Sequence, residues 1–299
     1  HQEVGYGRVN AHQAIVGAVN ATVDLGTFTI QQKSTNRFLD AWLSTGKDFS
    51  VVTRTAQNND TQRWILTPIG GVYTVQQKST GRFMDAWTSS GKDFSVVTRS
   101  VQNNDTQRWV LMHVNSSLNT YTMQQLYNGR YMDAWQSAGK DYSVVTRTAQ
   151  NNDTQRWILL PLGDDTYTIQ QKSSSRYLDA WQTSGKDYSI VTRTAQNNDT
   201  QRWIVRPVGR VYLIQQKSNG RFLDAWTSSN KDYSAVTRTA QHNDTQRWVL
   251  LYLGDDTYTI QQLWNGRHLD AWESAGKDFS AVTRAAQNND SQRWVLKSV

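Results

Sequence analysis

Cysteine is absent from the 299 residues. This excludes a disulfide framework, a thiolate metal site and a thiol nucleophile, so stability has to come from packing and hydrogen bonding. No apolar run approaches the length that crosses a bilayer, mean hydropathy is negative and hydrophobic residues make up 37% of the chain, so a soluble globular protein without membrane insertion is expected. The opening residues lack the charged, apolar, small-residue order of a secretory leader. The five histidines (His1, His12, His113, His242, His268) recur at no common place, which argues against a metal cage, a histidine base or a cofactor site, and the chain is not expected to be an enzyme. An excess of 32 Lys and Arg over 25 Asp and Glu gives a charge of +7, but both signs are interspersed instead of forming one basic stripe, so no nucleic-acid partner is expected.

What the sequence does contain is repetition. Asp-Ala-Trp recurs at Asp40, Asp85, Asp133, Asp179, Asp224 and Asp270, each followed by Lys-Asp, Val-Thr-Arg and Asn-Asp-x-Gln-Arg-Trp. The unit is roughly 46 residues long, a period that belongs to stacked or cyclic β architectures. Alternating and β-branched residues predict four strands in the first repeat, Phe28–Gln32, Arg37–Trp42, Phe49–Thr55 and Gln62–Leu66, with turn chemistry between them and no helical period. Six such repeats fit a six-bladed propeller or two three-repeat domains.

A longer period favours the second. Repeats three and six share Gln-Gln-Leu-aromatic-Asn-Gly-Arg (Gln124–Arg130, Gln261–Arg267). Repeats two and five share Pro-x-Gly-x-Val-Tyr (Pro68–Tyr73, Pro207–Tyr212), so the chain repeats after three units. The expected fold is all-β, with a short helical segment at 1–26, one domain at 27–163 and a second at 164–299. Gly-Asp-Asp-Thr-Tyr-Thr-Ile, which precedes repeats four and six at Gly163 and Gly254, cuts across that division. Tyr127 and Trp264 replace a serine in repeats three and six alone, either enlarging a binding surface or sealing the fold.

The Gln-x-Trp ending of every repeat, after Leu-Asp or Met-Asp, resembles the repeat of ricin B-type (R-type, QxW) β-trefoil lectins. Within Val51–Trp64 the likeness is greatest to the cysteine-free, actinohivin-like members. The resemblance implies two tandem β-trefoils. It also implies that the aspartate anchors sugar hydroxyls, with the residue matching Gln57 contributing from the end of the third strand. The alternation of strand side chains independently puts Leu39, Ala41 and Val51 on a core face and Asp40, Trp42, Val52 and Arg54 on the other. A carboxylate, amide and guanidinium donors, and an aromatic surface form the mixture a sugar needs.

The candidate carbohydrate-binding residues are therefore Asp40, Trp42, Arg54 and Gln57 in repeat one, and Asp85, Trp87, Arg99 and Gln102 in repeat two. Repeat three contributes Asp133, Trp135, Arg147 and Gln150, and repeat four Asp179, Trp181, Arg193 and Gln196. Repeat five contributes Asp224, Trp226, Arg238 and Gln241, and repeat six Asp270, Trp272, Arg284 and Gln287. Val52 and Arg54 stand where relatives place other ligand-facing residues, and an arginine in every pocket raises the idea of acidic sugars. An ion pair between Asp40 and Arg54 beneath Trp42 is the purely structural alternative. Gln62 and Trp64 are expected in the core, and Asn59 and Asp60 in the turn before it.

Residues 1–20, with Gly5-Tyr6-Gly7-Arg8-Val9-Asn10-Ala11, resemble the end of a subtilisin-like protease domain, which implies a secreted, extracellular setting. The expectation is a multivalent lectin or glycan-targeting module with up to six shallow sites, and glycans or glycoproteins as partners. A protein-binding trefoil of scaffold, inhibitor or actin-bundling type, or the substrate-targeting part of a secreted protease, remain the alternatives.

Overall fold

The computed structural model describes residues 26–115 and 119–299. The helical and protease-like readings of residues 1–25 thus lie outside the described residues. Repeat one forms strands Gly26–Gln32, Phe38–Ala41 and Val51–Arg54, and a fourth that starts at Trp64. The third strand starts later than its composition predicts, because Asp48 (φ 47°) and Phe49 (φ 50°) are both left-handed after a 3-10 turn at Thr45–Lys47. For non-glycine residues that conformation costs roughly 1–2 kcal/mol each, and the other repeats adopt it too, at Tyr142 and Tyr188 for example. The aromatic residue of the pair offsets the cost by holding two repeats together. The Phe49 carbonyl accepts the Thr237 amide at 2.9 Å, and the Arg221 guanidinium lies 3.8 Å over its ring.

The strands assemble into two compact units. One, here the central trefoil, consists of Tyr73–Gln125 and Arg130–Val208, which are repeats two to four. Its strands pair in a closed ring: Trp64–Gln77, Trp109–Asn115, Thr120–Gln125, Trp157–Gly163, Thr166–Gln171, Trp203–Gln216 and back to the first. Three hairpins are joined cyclically, Thr98 N–H to Tyr188 C=O, Thr192 to Tyr142 and Thr146 to Phe94, at 2.9–3.0 Å. Trp109, Trp157 and Trp203 fill the core with Val75, Met123 and Ile169.

The second unit, the terminal trefoil, takes the described part of Ala21–Val72 together with Gly209–Val299, which are repeats one, five and six, and the short stretch Leu126–Gly129. Its ring closes by pairing of Gly26–Gln32 with Trp294–Ser298. The same cyclic bonds recur at 2.9 Å, Thr53 to Phe279, Thr283 to Tyr233 and Thr237 to Phe49, around Trp64, Trp248 and Trp294. Each ring of six strands capped by three hairpins is a β-trefoil.

The units therefore divide the chain differently from the expected 27–163 and 164–299. The reason is local. The chain turns back into its own ring where Gly163 (φ 101°), Asp164 and Asp165, or Gly254 (φ 105°), Asp255 and Asp256, make tight left-handed turns between paired strands. Between repeats one and two, and again between four and five, there is no turn: Trp64–Gln77 and Trp203–Gln216 are single 14-residue strands that leave one ring and enter the other.

Candidate functional site

The hairpin of repeat four pairs Asp179 with Val191 and Tyr177 with Arg193, which sets Asp179 and Arg193 diagonally on one face. Asp179, Trp181, Arg193 and Gln196, the four residues expected from the sequence, line one open cavity of about 320 Å³ together with Gln182, Thr183, Asn198 and Thr200. The face is less exposed than strand alternation alone implies. Val191 is buried where Ser143 of the adjoining repeat bridges to it, and Val52 is likewise buried against Ser280, so neither presents itself to a ligand. In every repeat this valine position is covered by a serine of the repeat beside it.

The aspartate forms the floor. Asp40 is 0% exposed and Asp179 3%. In repeats three, five and six one carboxylate oxygen accepts the amide of the following alanine at 2.7 Å. In repeats four and six the other accepts Gln201 or Gln292 Nε2 at 3.2 Å. Both oxygens of Asp40, and Oδ2 of Asp85 and Asp133, receive no hydrogen bond. Arginine Nε stands 3.7–3.9 Å from the aspartate in repeats two, four, five and six, an ion pair too long to be a hydrogen bond. Burial pushes the Asp224 carboxyl above its ordinary range, opposed by Thr245, the Ala225 amide and Arg238.

The walls are held firmly. In repeats one and four the guanidinium of Arg54 or Arg193 stacks on Trp42 or Trp181 at 4.0 and 4.2 Å, and the other repeats match them. Trp87, Trp181 and Trp272 donate Nε1–H to Asp187, Asp141 and Asp232 of the neighbouring repeat at 3.1–3.3 Å. One indole face is thus covered by arginine, and the tryptophan is less of an open platform than the sequence implied. On the opposite wall Thr200 Oγ1 donates to Asn198 Oδ1 at 2.7 Å and Asn198 Nδ2 to Gln196 Oε1 at 3.2 Å. This chain of bonds leaves the Gln196 amide nitrogen pointing onward as a donor. The sequence pattern placed the equivalent Asn59 in the turn and gave Thr61 no role, although Asn59 recurs as strictly as Gln57 and the Thr61 hydroxyl is kept in every repeat, as Ser291 in repeat six.

The Gln-x-Trp end of each repeat supports this wall without lining it. Trp64 is fully buried with Nε1–H on the Leu39 carbonyl at 3.0 Å. Gln62 accepts the Gln57 amide at 2.8 Å and donates to the Thr55 carbonyl at 2.9 Å, so it fixes the bend that carries Gln57. One lining position changes its chemistry between repeats, the residue after the pocket tryptophan: Leu43, Thr88, Gln136, Gln182, Thr227 and Glu273.

Two trefoils, each with three copies of a hairpin built on a buried aspartate, define a lectin-like β-trefoil protein. The chain belongs to the ricin-type β-trefoil lectin domain-like family, which it matches over residues 16–102, 105–189 and 153–242, and which is carbohydrate-binding at the level of the family. No curated protein matches the chain. Among solved structures, the designed three-fold symmetric protein ThreeFoil is similar at 22% identity and a TM-score of 0.41, over 45% of this chain and 97% of that one. The Polyporus squamosus lectin bound to a human-type influenza-binding epitope is similar at 14% identity and a TM-score of 0.43, over 72% and 98%. The Rhizoctonia solani agglutinin is similar at 19% and 0.40, over 46% and 95%.

Proposed function

We propose that each repeat holds one saccharide in the pocket above its aspartate, so that the chain is a multivalent carbohydrate-binding protein with up to six sites. The observation that carries this reading is the open cavity of repeat four, which brings a carboxylate, an indole, a guanidinium and an amide together at Asp179, Trp181, Arg193 and Gln196. A carboxylate at the floor of such a cavity accepts from sugar hydroxyls. The Arg54 group and the Gln57 amide then serve as donors to other ring oxygens. Neutral sugars suit the site better than acidic ones. The guanidinium is already committed to the indole and the aspartate, and an incoming anion would sit beside a buried negative charge. Linked weak sites can raise avidity by roughly a hundred- to ten-thousand-fold on a multivalent target.

Replacing all six aspartates (Asp40, Asp85, Asp133, Asp179, Asp224, Asp270) by Asn keeps shape and removes the carboxylate. Glycan-array binding and cell agglutination should disappear while the thermal transition persists. Undiminished binding by that variant would refute the site.

A further inference from the structure

The six hairpin faces share their aspartate, tryptophan and arginine, and in every repeat the glutamine equivalent to Gln262 straps the next segment along a neighbouring face. Repeat five departs from repeats three and four only at the rim. Gln262 Nε2 donates to the Ala225 carbonyl at 3.2 Å and to the Thr245 carbonyl at 2.9 Å, and Trp264 N–H to the Asp244 carbonyl at 3.2 Å. The chain after the first strand of repeat six is therefore strapped along the repeat-five pocket, with Trp264 at its edge. The neighbouring repeats show what that edge faces. Gln182 Nε2 donates to Ser79 Oγ at 2.8 Å and Gln136 pairs likewise with Ser173, so in those pockets the residue after the pocket tryptophan reaches across to the serine that stands where Trp264 does. In repeat five these two positions hold Thr227 and Trp264. The cross-rim bond gives way to a short side chain opposite an indole that is 56% exposed. Trp226 carries Arg238 at 4.2 Å, whereas among the described residues no cation lies over the Trp264 ring.

Resting on the reading of the pockets as saccharide sites, we infer that Trp264 forms a second subsite beside the repeat-five pocket. This site takes an oligosaccharide, with one residue held at Asp224 and the next stacked on the Trp264 indole. A ten-fold gain in affinity from stacking the second ring corresponds to about 1.4 kcal/mol. The pairing of Thr227 with Trp264 also gives a reason for two sequence signatures, one of repeats two and five and the other of repeats three and six, to recur with the same period.

The test uses the full chain with Asp40, Asp85, Asp133, Asp179 and Asp270 changed to Asn, so that only the repeat-five pocket remains, and labelled with 5-fluorotryptophan. The probes are methyl β-galactoside with lactose, methyl α-mannoside with α-1,2-mannobiose, and N-acetylglucosamine with chitobiose. For the sugar that binds, the disaccharide should bind about ten-fold more tightly than its monosaccharide and shift the fluorine resonance of Trp264. Trp264→Ala should erase that advantage while leaving monosaccharide affinity unchanged, and Thr227→Gln, copying repeats three and four, should reduce it. The same Trp264 resonance followed in the unsubstituted chain keeps the test valid if the five-fold variant folds poorly. Saccharides that move Trp226 and leave Trp264 and the Trp264→Ala affinities unaltered overturn the second subsite alone. Failure of every saccharide to move any pocket tryptophan overturns the saccharide reading, and the subsite with it.

Discussion

At the scale of single residues, the pocket depends on a carboxylate kept in a place that disfavours its charge. For Asp224, burial raises the pKa above the ordinary value, so the proton is held more tightly in the folded chain than in the unfolded one. Its contribution to stability is then largest at low pH and is lost as pH rises through the raised value. Binding has the opposite dependence, because a protonated carboxyl accepts poorly from a sugar hydroxyl. The half-buried Asp60 and Asp153 are held below the ordinary value by hydrogen bonds from Arg63 and Lys217, and from Arg156 and Lys172. Their stabilisation is present above the unfolded-state value and disappears only as pH falls below it. On acidification, saccharide binding at repeat five should therefore fail with a midpoint above the usual aspartate range, before the melting temperature drops. Parallel calorimetric titrations and melting curves from pH 7 to 3 check this, and coincident midpoints would contradict it. The residues of this site were legible in the sequence because strand alternation and repetition select Asp179, Trp181 and Arg193 together, and the resemblance to R-type lectins adds Gln196. Their roles were less so. That Arg193 covers the indole, and that Asn198 and Thr200 orient Gln196, depends on side-chain directions set by a 3-10 turn and by a neighbouring repeat.

At the scale of elements, the informative features are the connections. Gly254 has a φ of 105°, outside the range side-chain-bearing residues adopt easily, yet a Cβ there would touch nothing within 4 Å. Gly254→Ala should therefore destabilise the terminal trefoil by about 1–3 kcal/mol through backbone strain alone. Gly46→Ala, in open space without a left-handed φ, should be neutral or slightly stabilising. Denaturant midpoints of the two variants make the comparison, and equal midpoints would show that the turn is not strained. Gly209 is constrained differently. In the strand Trp203–Gln216 its Cβ would lie 2.5 Å from Leu251 Cδ2 and 2.9 Å from the Leu250 carbonyl, so glycine there serves close approach. These contrasts explain why Gly-Asp-Asp-Thr-Tyr-Thr precedes repeats four and six: both copies are hairpin turns within one ring. The Pro-x-Gly-x-Val-Tyr of repeats two and five instead lies in the two strands that pass between rings.

At the scale of the whole molecule, a period of three repeats fixes how many repeats a trefoil contains but not where the count begins. Groupings one-two-three with four-five-six, and two-three-four with five-six-one, have the same period. The run of fourteen residues without a turn at Trp64–Gln77 decides between them, because a strand that does not fold back cannot add repeat one to the ring of repeats two and three. The consequence can be measured with fragments. Residues 73–208 contain every repeat of the central ring and should fold alone as a monomer with one cooperative transition. Residues 26–163 contain repeats one to three, and the straight strand separates repeat one from the other two. Two copies can complete each other, repeat one of each filling the gap left beside repeats two and three of its partner, by the exchange of an identical element that makes swapped dimers accessible. Size-exclusion chromatography with light scattering should therefore give a monomer for 73–208 and a dimer for 26–163. A folded monomer of 26–163 would mean that Thr67–Gly71 can form a hairpin after all, and that the path of this strand is set by the presence of repeats four to six and not by its own sequence.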